Sequence, residues 1–139
     1  MSLKTYAGSC HCGAVRFEAD IDLGEGTNRC NCSICSKARS WFALVSPDRL
    51  RWMAGADAQT EYQWAPPGRP GPNLRYRFCK TCGVRTAGQG EYGSGRGPFY
   101  FIAIASLDDA DPDELSDSIR YVDGRHDRFD RPPDDIRLM

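Results

Sequence analysis

A mainly β fold, one domain spanning residues 1–139 with short helical segments and cysteine staples, is the class this sequence predicts. Three observations predict it. Apolar and polar residues alternate with a period of two through several short segments, glycine- and proline-rich stretches separate those segments, and all seven cysteines fall in three tight clusters.

The alternation begins with Val15, Phe17, Ala19 and Ile21, set against Arg16, Glu18, Asp20 and Asp22. It reads as a half-buried strand, and Gly24-Glu25-Gly26-Thr27 then turns the chain. Trp41 to Val45 is a short apolar run closed by Ser46-Pro47, a second strand. Leu50 and Trp52 oppose Arg49 and Arg51, and Tyr62 and Trp64 repeat the pattern more weakly. Residues 65–73, rich in proline and glycine, read as a loop. Leu74, Tyr76 and Phe78 alternate with Arg75 and Arg77 and run straight into Cys79. The glycine-rich stretch 88–98 reads as another loop. Phe99 to Ala105 is continuously apolar, which predicts a strand covered on both faces. Asp111-Pro112-Asp113-Glu114-Leu115 has an acidic cap and an early proline, the opening of a short helix.

At 139 residues, with 40% hydrophobic and 27% charged residues, the chain suits a soluble domain with a real core. No stretch approaches the roughly 18 apolar residues of a membrane helix. Met1 to Ser9 lacks the apolar region of an export signal, so a cytoplasmic protein without membrane contact is expected. Basic residues outnumber acidic ones before residue 101, and the reverse holds after it. The acidic C-terminal part offsets the basic body, which argues against a strong nucleic-acid field.

The cysteine clusters are Cys10-His11-Cys12, Cys30-Asn31-Cys32-Ser33-Ile34-Cys35 and Cys79-Lys80-Thr81-Cys82. An odd count makes no clean disulfide framework, and clustered cysteines in a cytosolic chain point to metal binding or catalysis. Phe78 to Gly83 has the form of a zinc knuckle, with Gly83 free to take the positive φ that its turn needs. Cys10 and Cys12 supply the other half, on the expectation that alternate residues of an extended segment point the same way. Four thiolates around Zn²⁺ make a saturated structural site.

Cys30, Cys32 and Cys35 offer three sulfurs and no obvious fourth. A three-thiolate zinc keeps a position for an incoming group and carries a net charge of −1, which favours holding and activating a thiol over polarising water. Lys37 and Arg39 follow directly and could meet an anionic substrate, or could be solvated surface charges. Two other readings stay open. His126 or His11 could close a second structural site, although His126, in a charged segment, reads rather as a surface residue. Alternatively, the triad could be a redox thiol group without metal.

Gly8 to Val15, Cys30 to Cys35 and Phe78 to Gly83 together resemble the glutathione-dependent formaldehyde-activating enzyme family, whose zinc domain is also of the centromere protein V type. Order, spacing and neighbours match from about Thr5 to about Asp130, and Tyr121-Val122-Asp123-Gly124-Arg125 fits more loosely. The resemblance implies a zinc-stapled β-tent fold, with a structural zinc on Cys10, Cys12, Cys79 and Cys82. It implies a second, labile or catalytic zinc on Cys30, Cys32 and Cys35. It also implies a carbon–sulfur lyase chemistry in which glutathione and formaldehyde form S-hydroxymethylglutathione. Lys37 or Arg39 would then meet the glutathione carboxylates, and the loops 65–73 and 88–98 would carry substrate choice.

Two other classes compete. A non-catalytic zinc module for protein or nucleic acid would need a basic, aromatic-lined surface, for which Arg75, Arg77 and Arg85 are the only tight basic group. Methionine sulfoxide reduction would need a lone catalytic cysteine, and all seven cysteines lie in clusters.

Overall fold

The computed structural model describes residues 2–91 and 97–139. It is mainly β, as the alternation predicts: strands β1 (Lys4–Ser9), β2 (Arg16–Ile21) and β3 (Thr27–Cys30) precede helix α1 (Ser33–Ala38). Six strands follow, β4 (Trp41–Val45), β5 (Leu50–Ala54), β6 (Gln59–Trp64), β7 (Leu74–Cys79), β8 (Arg85–Glu91) and β9 (Pro98–Ala103). Helix α2 (Pro112–Ser118) and strand β10 (Ile119–Val122) complete the order.

The strands form two sheets. One has the order β1-β2-β5, and the other β10-β3-β4-β9-β8-β7-β6. Alternation decides which residues meet between them. Phe17, Ala19, Ile21 and Leu50 of the small sheet pack with Ala43, Val45, Ala87 and Ile102 of the large one. Phe17 and Ile102 are almost wholly excluded from water, and each such side chain contributes about 1.5–3 kcal/mol through burial. Arg51 on β5 reaches both oxygens of Asp20 on β2 at 2.8 and 2.9 Å, tying the small sheet's edge in register.

Local chemistry explains the ends. Asp111 caps α2 by accepting from the Asp113 amide at 2.8 Å, and Pro112 occupies the first helical turn. Two expectations are corrected. Phe99–Ala105 is not one strand covered on both faces: β9 stops at Ala103, and Ile104–Ser106 is a 3-10 turn. The core-side residue Ile102 is buried, whereas Phe99 and Phe101 lie half-buried on the opposite face of β9. The loop read over 88–98 begins later, because Gly88–Glu91 continue β8. Gly88 faces the Phe101 ring so closely that a Cβ would stand 2.0 Å from it, so glycine there is a packing requirement within a strand. Residues 92–96 of that expected loop lie outside the described residues.

The pairing that most affects function is the parallel one between β10 and β3, with Val122 opposite Cys30. It brings the segment after β10 onto the second cysteine cluster.

Candidate metal centres

The first centre joins the two sheets. Cys10 follows β1, and Cys79 ends β7. The Sγ atoms of Cys10, Cys12, Cys79 and Cys82 all lie within 4.8 Å of one another. Cys12 Sγ is 3.6 Å from both Cys10 Sγ and Cys79 Sγ. A tetrahedron with metal–sulfur bonds of about 2.3 Å needs sulfur separations of about 3.8 Å, so the four residues fit zinc.

The two halves are built alike. The Cys10 amide donates to the Val15 carbonyl at 3.0 Å, and the Cys79 amide donates to the Val84 carbonyl at 3.1 Å. Gly13 (φ 82°) and Gly83 (φ 75°) make the reversal in each, and their amides return to the Cys10 and Cys79 carbonyls. Cys10 and Cys12 therefore sit on a tight turn, which corrects the extended segment expected from sequence. Inward-facing amides suit anionic sulfur: Val15 N–H donates to Cys10 Sγ and Thr81 N–H to Cys79 Sγ, both at 3.3 Å. The amides of Cys82 and Thr81 lower the Cys79 thiol, and those of Cys12 and Val84 bring Cys82 down to about 6. Cys12 is pulled down by the Ala14 amide but pushed up to about 11 overall by the Cys10 and Cys79 sulfurs. Such competition for few protons is what a shared cation relieves.

The second centre is open. Cys30 ends β3, Cys32 stands at the N-cap position of α1, and Cys35 lies within that helix. Their three sulfurs also fall within 4.8 Å of one another, with Cys30 and Cys35 buried and Cys32 half-exposed. The Cys32 amide donates to Cys30 Sγ at 3.4 Å. Thiol hydrogen bonds from Cys30 and Cys35 hold Cys32 well below the usual range. The converse holds for Cys35, which Cys30, Cys32 and burial push up. Three crowded sulfurs with one stabilised thiolate fit a soft divalent cation, zinc among them. Among the described residues, no histidine nitrogen joins either group within that radius, so neither His11 nor His126 supplies a fourth ligand here. All seven cysteines are free thiols.

A clasp over the triad escaped the sequence reading. Asn31, between Cys30 and Cys32, donates through Nδ2 to Asp123 Oδ1 at 2.9 Å and accepts the Arg125 amide on Oδ1 at 2.9 Å. Arg125 Nε donates to the Asn31 carbonyl at 3.1 Å, and Ser36 Oγ donates to the same carbonyl at 2.8 Å. Gly124 presses so closely that a Cβ would stand 2.4 Å from Cys30 Sγ. Only the run from Tyr121 to Arg125 hinted at this, and Asp123 lies 92 residues from Asn31. Gly124→Ala should displace Cys30 and weaken metal binding at the triad by about 10–100-fold, the usual cost of disturbing a ligand's support. Metal content under chelator competition should show the loss confined to one of the two centres.

The two expected substrate-binding residues part company. Lys37 is exposed on the last turn of α1. Arg39 takes a left-handed conformation (φ 52°) at its C-cap, and its guanidinium donates to the Leu138 carbonyl. With Ser40, Leu138 and Met139 it lines a recess that reaches Cys30 and Cys35. The Ser40 hydroxyl is buried there and has no hydrogen-bond partner among the described residues.

A cysteine-rich, mainly β protein with one closed and one open thiol centre is thus defined, and comparison with known proteins places it. The family profile described as glutathione-dependent formaldehyde-activating enzyme matches residues 5–122, and the chain belongs to that family. A Halomonas elongata protein provisionally named glutathione-dependent formaldehyde-activating enzyme is 39% identical over 79 residues, or 54% of this chain and 50% of that protein. The chain spans about half the length of that curated relative. A crystal structure of a Rhodobacter sphaeroides protein superposes with a TM-score of 0.65 at 28% identity, covering 84% of this chain and 99% of the other.

Proposed function

We propose that the chain is a zinc-dependent carbon–sulfur lyase that joins glutathione, or another small thiol, to an aldehyde such as formaldehyde, giving S-hydroxymethylglutathione in that case. The observation that carries this reading is the division of the cysteines into four and three, with the three at a partly open rim. Cys10, Cys12, Cys79 and Cys82 would hold the structural metal. Cys30, Cys32 and Cys35 would hold the second, at the reacting centre. A bound Zn²⁺ there would supply the positive charge that keeps an incoming thiol deprotonated at neutral pH.

The protein's own groups then orient the reactants. The recess beside Cys30 and Cys35 offers a guanidinium, from Arg39, and the unpartnered Ser40 hydroxyl. A glutathione carboxylate would take Arg39 from the Leu138 carbonyl, exchanging a neutral acceptor for a charged one. Lys37, on the same helix end, would meet the other carboxylate. Holding thiol and aldehyde together supplies much of the rate. Residues 1–139 would act as one domain, since β10 completes the sheet that carries Cys30.

The nucleic-acid alternative loses support because its basic group is divided. Arg75 and Arg77 share Glu61 at 3.8 Å each, while Arg85 lies 4.7 Å above the Tyr76 ring. Among the described residues no helix is long and apolar enough to cross a membrane, and seven free thiols suit the reducing cytoplasm. The test is direct. Zinc-loaded protein mixed with glutathione and formaldehyde should speed adduct formation, followed by exchange NMR, well above the spontaneous rate. A rate equal to that of the protein-free mixture rejects the reading.

A further inference from the structure

We propose that Asp123 and His126 form the acid–base pair of the triad site, with His126 moving the thiol proton to the aldehyde oxygen. This deepens, and rests on, the thiol–aldehyde reading above. The pair has a geometry that an incidental surface contact would not need. The Asp123 carboxylate is buried, with its side chain 5% exposed, and both of its oxygens lie 2.9 Å from His126 Nδ1. The same Oδ1 accepts from Asn31 Nδ2. The Asp123 backbone is pinned as well: its amide donates to the Arg128 and Arg131 carbonyls at 3.1 Å each, and its carbonyl accepts the Arg128 amide at 2.9 Å. The His126 side chain, by contrast, is 62% exposed. An Nδ1 that donates to a fixed carboxylate leaves the Nε2 lone pair of a neutral imidazole free to accept a proton.

Position ties this pair to the triad. Asn31, which Asp123 holds, is the residue between Cys30 and Cys32. Gly124, in the turn that joins Asp123 to His126, lies against Cys30 Sγ. The other charged groups of this segment leave the imidazole free. Arg125 is turned toward the Asn31 carbonyl and Ser36 Oγ, Arg128 acts on the Asp123 carboxylate, and Asp127 is the next residue on the same turn. The titratable groups on the facing side are the triad thiols, with Cys30 Sγ of β3 against Gly124, while Asn31, between β3 and α1, and Ser36 of α1 are neutral.

The chemistry balances without an added reagent. As the thiol enters the triad site its proton passes to Nε2, the pair on the resulting thiolate forms the C–S bond, and the carbonyl π pair moves onto oxygen. The imidazolium then returns the proton to that oxygen, so thiol and aldehyde become the hemithioacetal. General acid–base help of this kind is worth about 10²–10⁴-fold.

His126→Ala is the test, since an exposed side chain can be removed without disturbing the core. The variant should keep both metals and its circular dichroism, and lose about 10²-fold in kcat with little change in KM. Added imidazole should restore part of the rate. A wild-type rate in His126→Ala overturns the proposal while leaving the thiol–aldehyde reading in place. Loss of one metal per chain overturns it in favour of a ligand role for His126. Inactive wild-type protein overturns both readings.

Discussion

Cys79→Ser should abolish cooperative folding rather than merely lower activity. Cys79 is 1% exposed, ends β7, and brings its sulfur to within 3.6 Å of Cys12 Sγ across the gap between the two sheets. The buried cluster around it is small, centred on Cys10, Val15 and Cys79 with Trp52 and Val84 against them. Apolar contact alone does little to fasten the β1–β2 hairpin to the β7–β8 turn at this end. Binding of zinc by four thiolates is worth about 10–16 kcal/mol in small structural sites. The entire stability of a domain is about 5–15 kcal/mol. Removing one buried ligand and leaving a serine hydroxyl in its place therefore removes a large fraction of what holds the fold. Thermal and denaturant unfolding followed by circular dichroism should show no cooperative transition for the variant. Prolonged chelation under mildly denaturing conditions should give wild-type protein the same profile. A cooperative transition within a few degrees of wild type would mean that the four sulfurs are not a structural metal site.

Much of this architecture is legible in the sequence because the signals are local. Val15 to Ile21 and Leu74 to Phe78 carry their strand character in their own alternation, Trp41 to Val45 in an apolar run closed by Ser46-Pro47, and the observed strands follow them. The cysteine clusters are equally local, and the four-and-three division follows from spacing. What the residues do not announce is what partner they find far along the chain. β3 and β10 are four residues each, too short to show a period, and they form by pairing with one another across about ninety intervening positions. The clasp depends on that pairing, so Asn31 and Asp123 could not be connected beforehand. His126 illustrates the limit well: it is exposed, as its charged surroundings suggest, and it is nevertheless hydrogen-bonded to a buried carboxylate. The turn at Cys10–Gly13 was legible and was missed. Gly13 stands after its cysteine just as Gly83 does, and that parallel argues for two knuckles of one kind rather than a knuckle and a strand.

Cys32→Ser should give the opposite phenotype to Cys79→Ser, a folded protein without turnover. Cys32 is half-exposed at the start of a six-residue helix, and its cluster with Cys30, Cys35 and Val122 is separate from the main core of Phe17, Ile102 and Ile104. The main core is a different cluster, so the variant should keep a cooperative unfolding transition, lowered only by what the triad's metal contributes. The chemical loss is larger. Cys32 carries the most stabilised thiolate of the three, because Cys30 and Cys35 donate to it. Serine at this position would not ionise near neutral pH, leaving two thiols to hold the metal. An incoming thiol would then be only a few per cent ionised at neutral pH, and its fixed approach to the aldehyde would also be lost. Together these make a fall of at least about 10³-fold, since positioning alone can be worth several kcal/mol. Metal analysis should find the triad's ion gone and the other retained, with the unfolding transition still cooperative. Full activity in Cys32→Ser would remove the triad from the chemistry, and with it the distinction between a closed centre that holds the fold and an open one that reacts.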